Sequence, residues 1–517
     1  MRTGSQPAGE DVAGRFDTRI RFDIRKPAIA VLAAFAVSRL AAYVAGVRFE
    51  SSFLQSGWQL LDLRWLREDL VGSLAALHSQ PPLFNLTIGL LAVGVPGYEH
   101  VGMQAMYLLL GAMLAFIMLD LLRRLGVSSN VAVAATLLVV VSPATLLYEN
   151  WLFYPYPVAV MLVLAAWALC RYAVSRTLRS GLLAFALMAV PALTWSLFHV
   201  AWLIAAVVLV TVFSGVEPRK TLAAAACPLL LVLSWYGKNA LLFGEPVAST
   251  WFGQNLYRAA TGGLSADQRR QLAADLGLSP LATIAPFSPL ASYRPYAEMP
   301  EPTGEAALDE SHKQDGTPNF NHLAYIAISA RYLELAVEII KRQPFQYVQT
   351  AGKGLCRFCL PSTQDGFLEA NRGRIEWVDR LYGAAIHGQL RRPPLDSDCD
   401  DWSPTHFPVV VPFLLLASIA GPVWLLREHR VTPDLGITLA FTLLTVAWVL
   451  LAGTLFEFGE NNRFRYVTEP LMFVALAVSV QRAWDAAPSR RSPPRAYGPT
   501  PEGRCVISPD PSRDRAS

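Results

Sequence analysis

The sequence predicts an all-α polytopic membrane protein of about ten to eleven helices, with an amphipathic first outer loop and one large outer loop. Charged residues make up only 16% of the 517 residues, whereas a typical soluble domain carries about 25%. Apolar stretches of spanning length recur along the chain, and arginines lie mostly at their ends. A net charge of +4, without a basic stripe, argues against nucleic acid as a partner.

Ten apolar stretches have the length and composition of spanning helices. The first follows a polar, arginine-rich segment at 1–26 and has no small-residue cleavage site after it, so we predict a cytoplasmic N-terminus without a cleaved signal. Thr194, Ser196 and His199 interrupt the block 181–214, which we therefore divide into two short spans. The predicted spans are 27–47, 101–122, 130–148, 152–172, 181–194, 198–214, 221–242, 407–426, 435–455 and 466–481.

An eleventh apolar stretch, 83–95, is short for a span, and the positive-inside rule decides its placement. If it does not cross, the basic clusters beside the spans all lie in the cytoplasm, whereas a crossing would move several of them outside. These clusters are Arg123 with Arg124, Arg171 with Arg176 and Arg179, Arg219 with Lys220, Arg427 with Arg430, and the arginines of the tail. We therefore predict a helix along the outer face at 83–95.

This topology divides the chain into five segments, and both termini are then cytoplasmic. The large outer loop is long enough to form a small folded subdomain. The tail is rich in proline, serine and arginine, and we expect it to be disordered. The segments are the N-terminus (1–26), an N-terminal membrane domain (27–242) with its first outer loop (48–100), the outer subdomain (243–406), the C-terminal membrane helices (407–482) and the tail (483–517).

The first outer loop carries an apolar helical stripe. Leucines recur at three- and four-residue spacing from Leu63 to Leu77, which predicts an interfacial helix lying on the membrane. A lipid-linked substrate presents its phosphate at headgroup height, within reach of a group on such a helix. Asp62, at the start of this helix, is therefore a candidate general base or acceptor-orienting residue. The alternative is a solvated helix face.

The most distinctive string in the chain is HSQPPLFN, which begins at His78. Its two prolines fix a turn and can start the next helix. His78 and Gln80 then lie just above the apolar stretch 83–95, where they are candidates for holding a phosphate or a sugar hydroxyl. A simple cap at the start of the helix is the alternative.

Two further candidates lie at the outer ends of predicted spans. Glu149 follows the third span and lies on the same membrane face as Asp62, so it is a candidate second acid. Lys238 ends the seventh span and is a candidate phosphate contact.

Two arginines, Arg463 and Arg465, precede the last span on its outer side and so run against the positive-inside bias. A phosphate or pyrophosphate partner would explain them, because guanidinium binds such groups through two parallel hydrogen bonds. Ion pairs with Glu457, Glu460 or Glu469 are the alternative.

With these residues placed, the chain resembles the GT-C superfamily of glycosyltransferases, which use polyprenyl-phosphate sugars. That group includes the protein O-mannosyltransferases and the bacterial aminoarabinose transferases of lipid A, and the likeness is greatest to bacterial members described as dolichyl-phosphate-mannose–protein mannosyltransferase-like. The resemblance covers roughly residues 27–482. It rests on Leu60-Leu61-Asp62, Ser73-Leu74, HSQPPLFN from His78, Tyr148-Glu149-Asn150, WYGKN from Trp235 and the run from Gly459 to Arg465.

The resemblance implies transfer of one sugar from a polyprenyl phosphate to a glycan, lipid or protein acceptor outside the plasma membrane. It implies catalytic acids at Asp62 and Glu149. It also implies donor-phosphate contacts at Arg463 or Arg465, with Lys238 as a further contact.

The sequence departs from the family pattern at one position. The residue after Asp62 is Leu63, where many relatives carry a second acid, so we expect no metal site and no cofactor. Glu68 and Asp69 offer an acidic pair at a different offset and are further candidates for substrate binding.

Two other functions remain open. A transporter or flippase of lipid-linked sugars predicts charged residues within several spans, whereas this chain has Arg39 in its first span and few others. A polysaccharide polymerase or ligase also uses a lipid-linked sugar and a large outer loop. The early position of Asp62 and HSQPPLFN is the main feature that discriminates between this function and a GT-C glycosyltransferase. A disulfide among Cys356, Cys359 and Cys399 in the large outer loop is a further open point.

Overall fold

In the computed structural model, helices are the regular secondary structure of the part of the chain that it describes. Its only β contacts there are two isolated bridges, Glu50 with Trp151 and His312 with Pro318. The predicted all-α class is therefore confirmed. The predicted N-terminal segment up to residue 24 and the tail from residue 488 lie outside the described residues. The structure describes residues 25–262, 264–389, 391, 407–428 and 431–487.

Helices follow one another along the described chain, and the names of the predicted segments are kept here only as labels. Those before the large outer loop are α1 (Arg25–Val44), α2 (Phe53–Ser56), α3 (Leu63–Glu68), α4 (Leu70–Ala76), α5 (Leu83–Gly94), α6 (Glu99–Arg124), α7 (Ser129–Val140), α8 (Pro143–Glu149), α9 (Pro155–Ser175), α10 (Leu178–Thr194), α11 (Val200–Phe213) and α12 (Pro218–Phe243). Those of the large outer loop are α13 (Phe252–Ala260), α14 (Ala266–Asp275), α15 (Ala306–Asp309), α16 (Ala324–Arg342), α17 (Pro344–Cys359), α18 (Glu369–Arg374) and α19 (Glu376–Tyr382). The C-terminal helices are α20 (Val410–Arg427), α21 (Pro433–Leu455) and α22 (Asn461–Ala486). Tighter or wider turns occur at Pro280–Thr283, Leu290–Tyr293, Gly366–Leu368 and Gly383–His387.

Six described helices are long and apolar enough to cross a membrane, namely α1, α6, α9, α12, α20 and α21. The bent pair of α7 and α8 makes a seventh if it counts as one span. The helices α5, α10 and α11 are apolar but shorter, and α22 is long with a polar first turn. All ten predicted spans and the stretch 83–95 are therefore helical, and the block 181–214 divides into two helices as predicted.

The third predicted span, 130–148, is two helices rather than one, bent by 51° where α7 meets α8. Pro143 has no N–H to continue the helix, and its ring would clash with the carbonyl one turn earlier. The Ser142 hydroxyl accepts a hydrogen bond from the Thr145 N–H at 3.1 Å, so it caps α8 as a new helix. The proline and the serine cap together produce the break.

The leucine stripe of the first outer loop is also divided, into α3 and α4, instead of forming one helix. Asp69 leaves the helical conformation, and its carboxylate accepts the Gly72 N–H at 2.8 Å, which starts α4. Leu66 and Leu77 are fully buried, so part of the stripe packs against protein. A Cβ on Gly89 of α5 would stand 2.3 Å from Leu70, which shows how closely the stripe packs on α5.

Two hydrophobic clusters organise the described residues. The larger one runs through the membrane helices and the first outer loop. The smaller one lies in the large outer loop and centres on buried tyrosines from Tyr257 to Tyr332. Helix α17 leaves this second cluster, and Phe358 near its end joins the first. The outer loop therefore packs partly on itself and partly on the membrane helices, while the predicted domain limits stay predictions.

We predict that Gly253→Ala destabilises the outer region. A Cβ at Gly253 in α13 would lie 1.9 Å from the Ser329 carbonyl oxygen in α16, and backbone cannot move aside cheaply. Overpacking of this kind costs roughly 1–3 kcal/mol or more. The matched control is Gly352→Ala in α17, where nothing lies within 4 Å of the new methyl group. We expect the melting temperature of the purified chain to fall for Gly253→Ala only. Equal melting temperatures for the two variants would contradict the close approach of α13 and α16.

Candidate functional site

Asp62 is the N-cap of α3 and joins the first outer loop to the large one. One carboxylate oxygen accepts the Arg64 N–H at 2.8 Å, and the other accepts the Gln314 N–H at 2.6 Å. The side chain is buried. These contacts give Asp62 a structural role, and its predicted catalytic role stays a prediction. The nearby pair of Glu68 and Asp69 is exposed, with Asp69 capping α4.

A lysine that sequence reasoning did not single out lies beside Asp62. Lys313 is buried, and its ammonium donates to the backbone carbonyls of Gln55 and Gly57. Burial lowers the pKa of Lys313 to about 8, while Asp315 and Asp62 act in the opposite direction. The short hairpin that carries Lys313 therefore covers the start of α3.

The HSQPPLFN string holds the first outer loop against the large one. The Nδ1 and Nε2 atoms of His78 lie 2.8 Å from the Thr250 hydroxyl and the Asn321 carbonyl, respectively. Burial lowers the pKa of His78 to about 3, so the ring is neutral and donates through Nε2 to the carbonyl. Both ring nitrogens are thus engaged within the protein. Gln80 is buried, and its Oε1 has no partner in the described part of the chain.

Lys238 of α12 contacts the end of α4, directly before this string. Its ammonium donates to the carbonyls of Ala75 and Leu77 and lies 3.8 Å from the centre of the Trp235 ring. A cation at the C-terminal end of a helix satisfies carbonyls that have no partner within the helix. The phosphate contact at Lys238 stays a prediction. In the structure the Lys238 ammonium binds the carbonyls at the end of α4.

Glu149, the last residue of α8, forms an ion pair with Arg39 of α1. The Arg39 Nη2 atom lies 2.7 Å from one carboxylate oxygen of Glu149, and the Tyr156 hydroxyl donates to the same oxygen at 2.7 Å. Arg39 also donates to the Val140 carbonyl at 2.6 Å, where the bend has interrupted the helix. The charge in the first span is thus compensated, and catalysis at Glu149 stays a prediction.

We predict that Arg39→Met destabilises the chain strongly, because it leaves Glu149 as an unpaired buried charge. Breaking a buried pair from one side costs roughly 3–5 kcal/mol. The double variant Arg39→Met/Glu149→Gln should recover part of this loss, since no charge remains. Thermal melting of the purified chain measures both effects, and Lys220→Met, which removes an exposed pair with Glu217, serves as the control. An Arg39→Met variant with the melting temperature of the wild type would contradict the ion pair.

The two arginines at the start of α22 are both buried, and both form the acidic pairs that the sequence offered as the alternative. Arg465 pairs with Glu469 at 3.0 Å and donates at 2.8 Å to the Phe358 carbonyl and to the Ser362 hydroxyl. All three nitrogens of its guanidinium are therefore engaged. Arg465 holds the end of α17 against α22.

Arg463 has donors to spare. Its Nη2 atom pairs with Glu460, but Nε is buried without a hydrogen-bond partner in the described part of the chain. The Phe153 ring centre lies 5.0 Å from its guanidinium carbon and the Phe464 ring centre 5.8 Å. A buried guanidinium with an unsatisfied N–H is costly unless a further acceptor binds it. Arg463 is therefore the predicted site residue best placed to bind an anion.

Neighbours of Arg463 line two cavities. Phe464 lines a cavity of about 450 Å³ with mainly apolar walls, which we call the apolar cavity. Glu460 lines a smaller one of about 200 Å³, which we call the polar cavity. The apolar cavity is lined by Trp195, Ser196, Leu197, His199, Val247, Ala248, Ser249, Phe252, Asn255, Trp448, Ala452, Phe456, Glu457 and Phe464. The polar cavity is lined by Arg357, Leu360, Gln364, Asp365, Gly366, Phe367, Gly459, Glu460 and Asn462.

Carboxylates surround Arg463 from both cavities. Burial raises the pKa of Asp365 in the polar cavity, and Arg463 opposes that shift. Burial also raises the pKa of Glu457 in the apolar cavity, although Arg258 lies 3.2 Å from its carboxylate. With Glu460 this makes three acids near the guanidinium.

The structure thus distributes the predicted residues over separate places. Asp62 faces the Lys313 hairpin, and His78 follows α4, whose end Lys238 of α12 contacts. Arg463 lies next to residues that line two cavities. Asp365 was missed, because no local pattern marks an acid that comes to α22 from a distant loop. Glu457 and Glu460 were visible in the sequence only as pairing partners for the arginines.

The cysteines of the large outer loop differ in their bonding state. Cys356 is disulfide-bonded, while Cys359 is a free, buried thiol. Cys399 itself lies outside the described residues. Among the residues that the structure describes, no group of three or more metal-ligating side chains comes together.

Comparisons with known proteins give one structural similarity. No family model matches the chain, and no curated protein matches it. The chain is similar to the crystal structure of the Archaeoglobus fulgidus oligosaccharyltransferase tethered with an acceptor peptide containing the NVT sequon via a disulfide bond. The TM-score is 0.36 and the identity 12%, over 88% of this chain and 50% of the archaeal one. The chain thus spans about half the length of that enzyme.

Proposed function

We propose that the protein is a membrane glycosyltransferase of the GT-C type that transfers a sugar from a polyprenyl-phosphate donor to an acceptor on the outer side of the plasma membrane. The observation that carries this proposal is Arg463, a buried guanidinium with an unused N–H whose neighbours line both an apolar and a polar cavity. A lipid-linked sugar has the same three parts in the same order, namely an apolar chain, a phosphate and a polar sugar.

The apolar cavity suits the start of an isoprenoid chain. Tryptophan, phenylalanine and aliphatic side chains form most of its wall. Phe252 and Phe456 in that wall are each 44% exposed, so the cavity reaches the surface of the protein. A chain longer than the cavity can therefore continue along the outside of the helices.

The phosphate would bind Arg463. Hydrogen bonds between a guanidinium and a phosphate are charge-assisted and roughly twice as strong as neutral ones. Glu460 occupies one side of the guanidinium, whereas the Nε side is unused. Arg465 has no comparable freedom, because its donors are taken up by Glu469, Phe358 and Ser362.

The sugar would then enter the polar cavity. Asn462 and Gln364 line it with amide side chains, and Asp365 and Glu460 line it with carboxylates. Such groups bind hydroxyls, which both donate and accept hydrogen bonds. The acceptor, whether a glycan, a lipid or a protein, would approach from this side.

The charges within the membrane helices favour an enzyme over a transporter. Arg39 pairs with Glu149, and Asp120 pairs with Arg124 at 2.6 Å and accepts from Trp167. A transport pathway would expose such charges to a passing substrate. In the described helices these four are instead engaged with one another, and the spare polar chemistry lies around Arg463.

We predict that Arg463→Gln lowers kcat/KM for donor turnover by roughly 100-fold, because it removes charge-assisted hydrogen bonds to the phosphate worth about 1.5–3 kcal/mol each. The measurement is release of free polyprenyl phosphate from a panel of radiolabelled polyprenyl-phosphate hexoses and pentoses by the purified chain. Arg463→Lys keeps the charge but loses the planar guanidinium, so its kcat/KM should lie between those of the wild type and Arg463→Gln.

Two controls separate binding from folding. Arg270→Gln changes an exposed arginine in the outer region and should leave turnover unchanged. Glu460→Gln/Arg463→Gln removes both members of the ion pair. Its melting temperature should therefore be closer to that of the wild type than the melting temperature of Arg463→Gln is, while it stays inactive. Full turnover by a folded Arg463→Gln variant would rule out Arg463 as the phosphate site.

A further inference from the structure

A short strap of chain, Pro361–Leu368, crosses the start of α22 and carries Asp365 in its middle. The Asn462 side chain donates to the carbonyls of Pro361 and Gln364, at 2.9 and 2.7 Å. From the same helix Arg465 donates to the Ser362 hydroxyl at 2.8 Å. The residues on either side of Arg463 therefore hold the strap in place.

The other side of the strap is held as firmly. The Tyr148 hydroxyl donates to the Ser362 carbonyl at 3.1 Å, and the Thr363 hydroxyl donates to Asp379 at 2.8 Å. The Phe367 ring stacks on Trp151, with centres 5.3 Å apart and planes 12° from parallel. Asp365 thus has a fixed position beside Arg463 although it belongs to an irregular segment.

Asp365 has one committed oxygen and one open one. Its Oδ1 atom accepts the Phe367 N–H at 2.9 Å, which fixes the orientation of the carboxylate. Its Oδ2 atom has no hydrogen bond to the described part of the chain, and the side chain is half-buried and lines the polar cavity. An oriented carboxylate with a free oxygen facing a cavity has the geometry of a general base.

We propose that Asp365 is the general base that removes the proton of the acceptor hydroxyl, an inference that rests on the proposed function. It takes this role in place of Asp62, because both carboxylate oxygens of Asp62 already accept backbone N–H groups. The acceptor oxygen attacks the anomeric carbon as the bond from that carbon to the phosphate oxygen breaks. The phosphate leaves with the bonding electron pair, and the acceptor proton moves to Asp365 Oδ2. Arg463 stabilises the charge that develops on the leaving phosphate, and water later takes the proton from Asp365.

The charges that face Asp365 support this role. Arg463 and Glu460 come from α22 and the residue before it, and Arg357 comes from α17. Burial raises the pKa of Asp365, which makes the carboxylate a stronger base than an exposed aspartate. Turnover should therefore rise with pH as Asp365 loses its proton, and this rising limb should vanish in a variant without the carboxylate.

The test compares two nucleophiles in the wild type and in Asp365→Asn. Water must lose a proton as it attacks, whereas azide carries none, so only the first needs a base. Both reactions release free polyprenyl phosphate from the radiolabelled donor panel. We expect Asp365→Asn to lower the reaction with water by about 10²- to 10⁴-fold and to leave the reaction with azide nearly unchanged.

Controls make each outcome decisive. Asp275→Asn removes an exposed carboxylate at the end of α14 and should match the wild type in both reactions. Equal loss of both reactions in Asp365→Asn, or of neither, overturns the assignment of Asp365 as the base. Asp365→Glu, which keeps the carboxylate, should restore part of the reaction with water and its rising pH limb. A wild type that turns over no donor with either nucleophile defeats the proposed function and removes the basis for this role.

Discussion

The first turn of α22 holds three parts of the chain together, and the candidate site depends on that arrangement. Asn461 donates to the Gly453 carbonyl of α21 at 2.6 Å, and Asn462 donates to the strap that carries Asp365. Arg465 fixes the end of α17. Arg463 lies among these residues, and its position is therefore set by contacts that its own side chain does not make. A polar turn at this place would be costly in a membrane protein if its groups had no partners.

Buried charges have two different uses in this protein. Arg39 and Arg465 are saturated by carboxylates, hydroxyls and carbonyls, and each joins segments that are distant in sequence. Arg463 is equally buried but keeps an unsatisfied N–H. Burying a charge is tolerated when it is fully hydrogen-bonded, and an incomplete set of partners in such a place points to a missing ligand. Saturation of the donors, more than position on the outer side, distinguishes Arg39 and Arg465 from Arg463, which we assign to the phosphate.

The sequence predicted the helices better than the site, for a physical reason. Apolar length and leucine spacing are local signals, so the predicted helix positions and the division of 181–214 into two helices are correct. The breaks at Ser142 and Asp69 escaped notice because the apolar pattern continues through both, although each residue is a strong N-cap. Arg463 was found because an arginine on the outer side stands out locally. Asp365 becomes significant only through its position in the polar cavity near Arg463, and no spacing rule connects positions that far apart.

The most direct test is the structure of the full chain with a short-chain polyprenyl-phosphate sugar, determined by electron cryomicroscopy. We expect the phosphate within hydrogen-bond distance, about 2.7–3.2 Å, of Arg463 nitrogen atoms, with the lipid chain in the apolar cavity and the sugar in the polar cavity. A phosphate bound instead at Lys238 or His78, with Arg463 still paired only to Glu460, would contradict the assignment of the donor site.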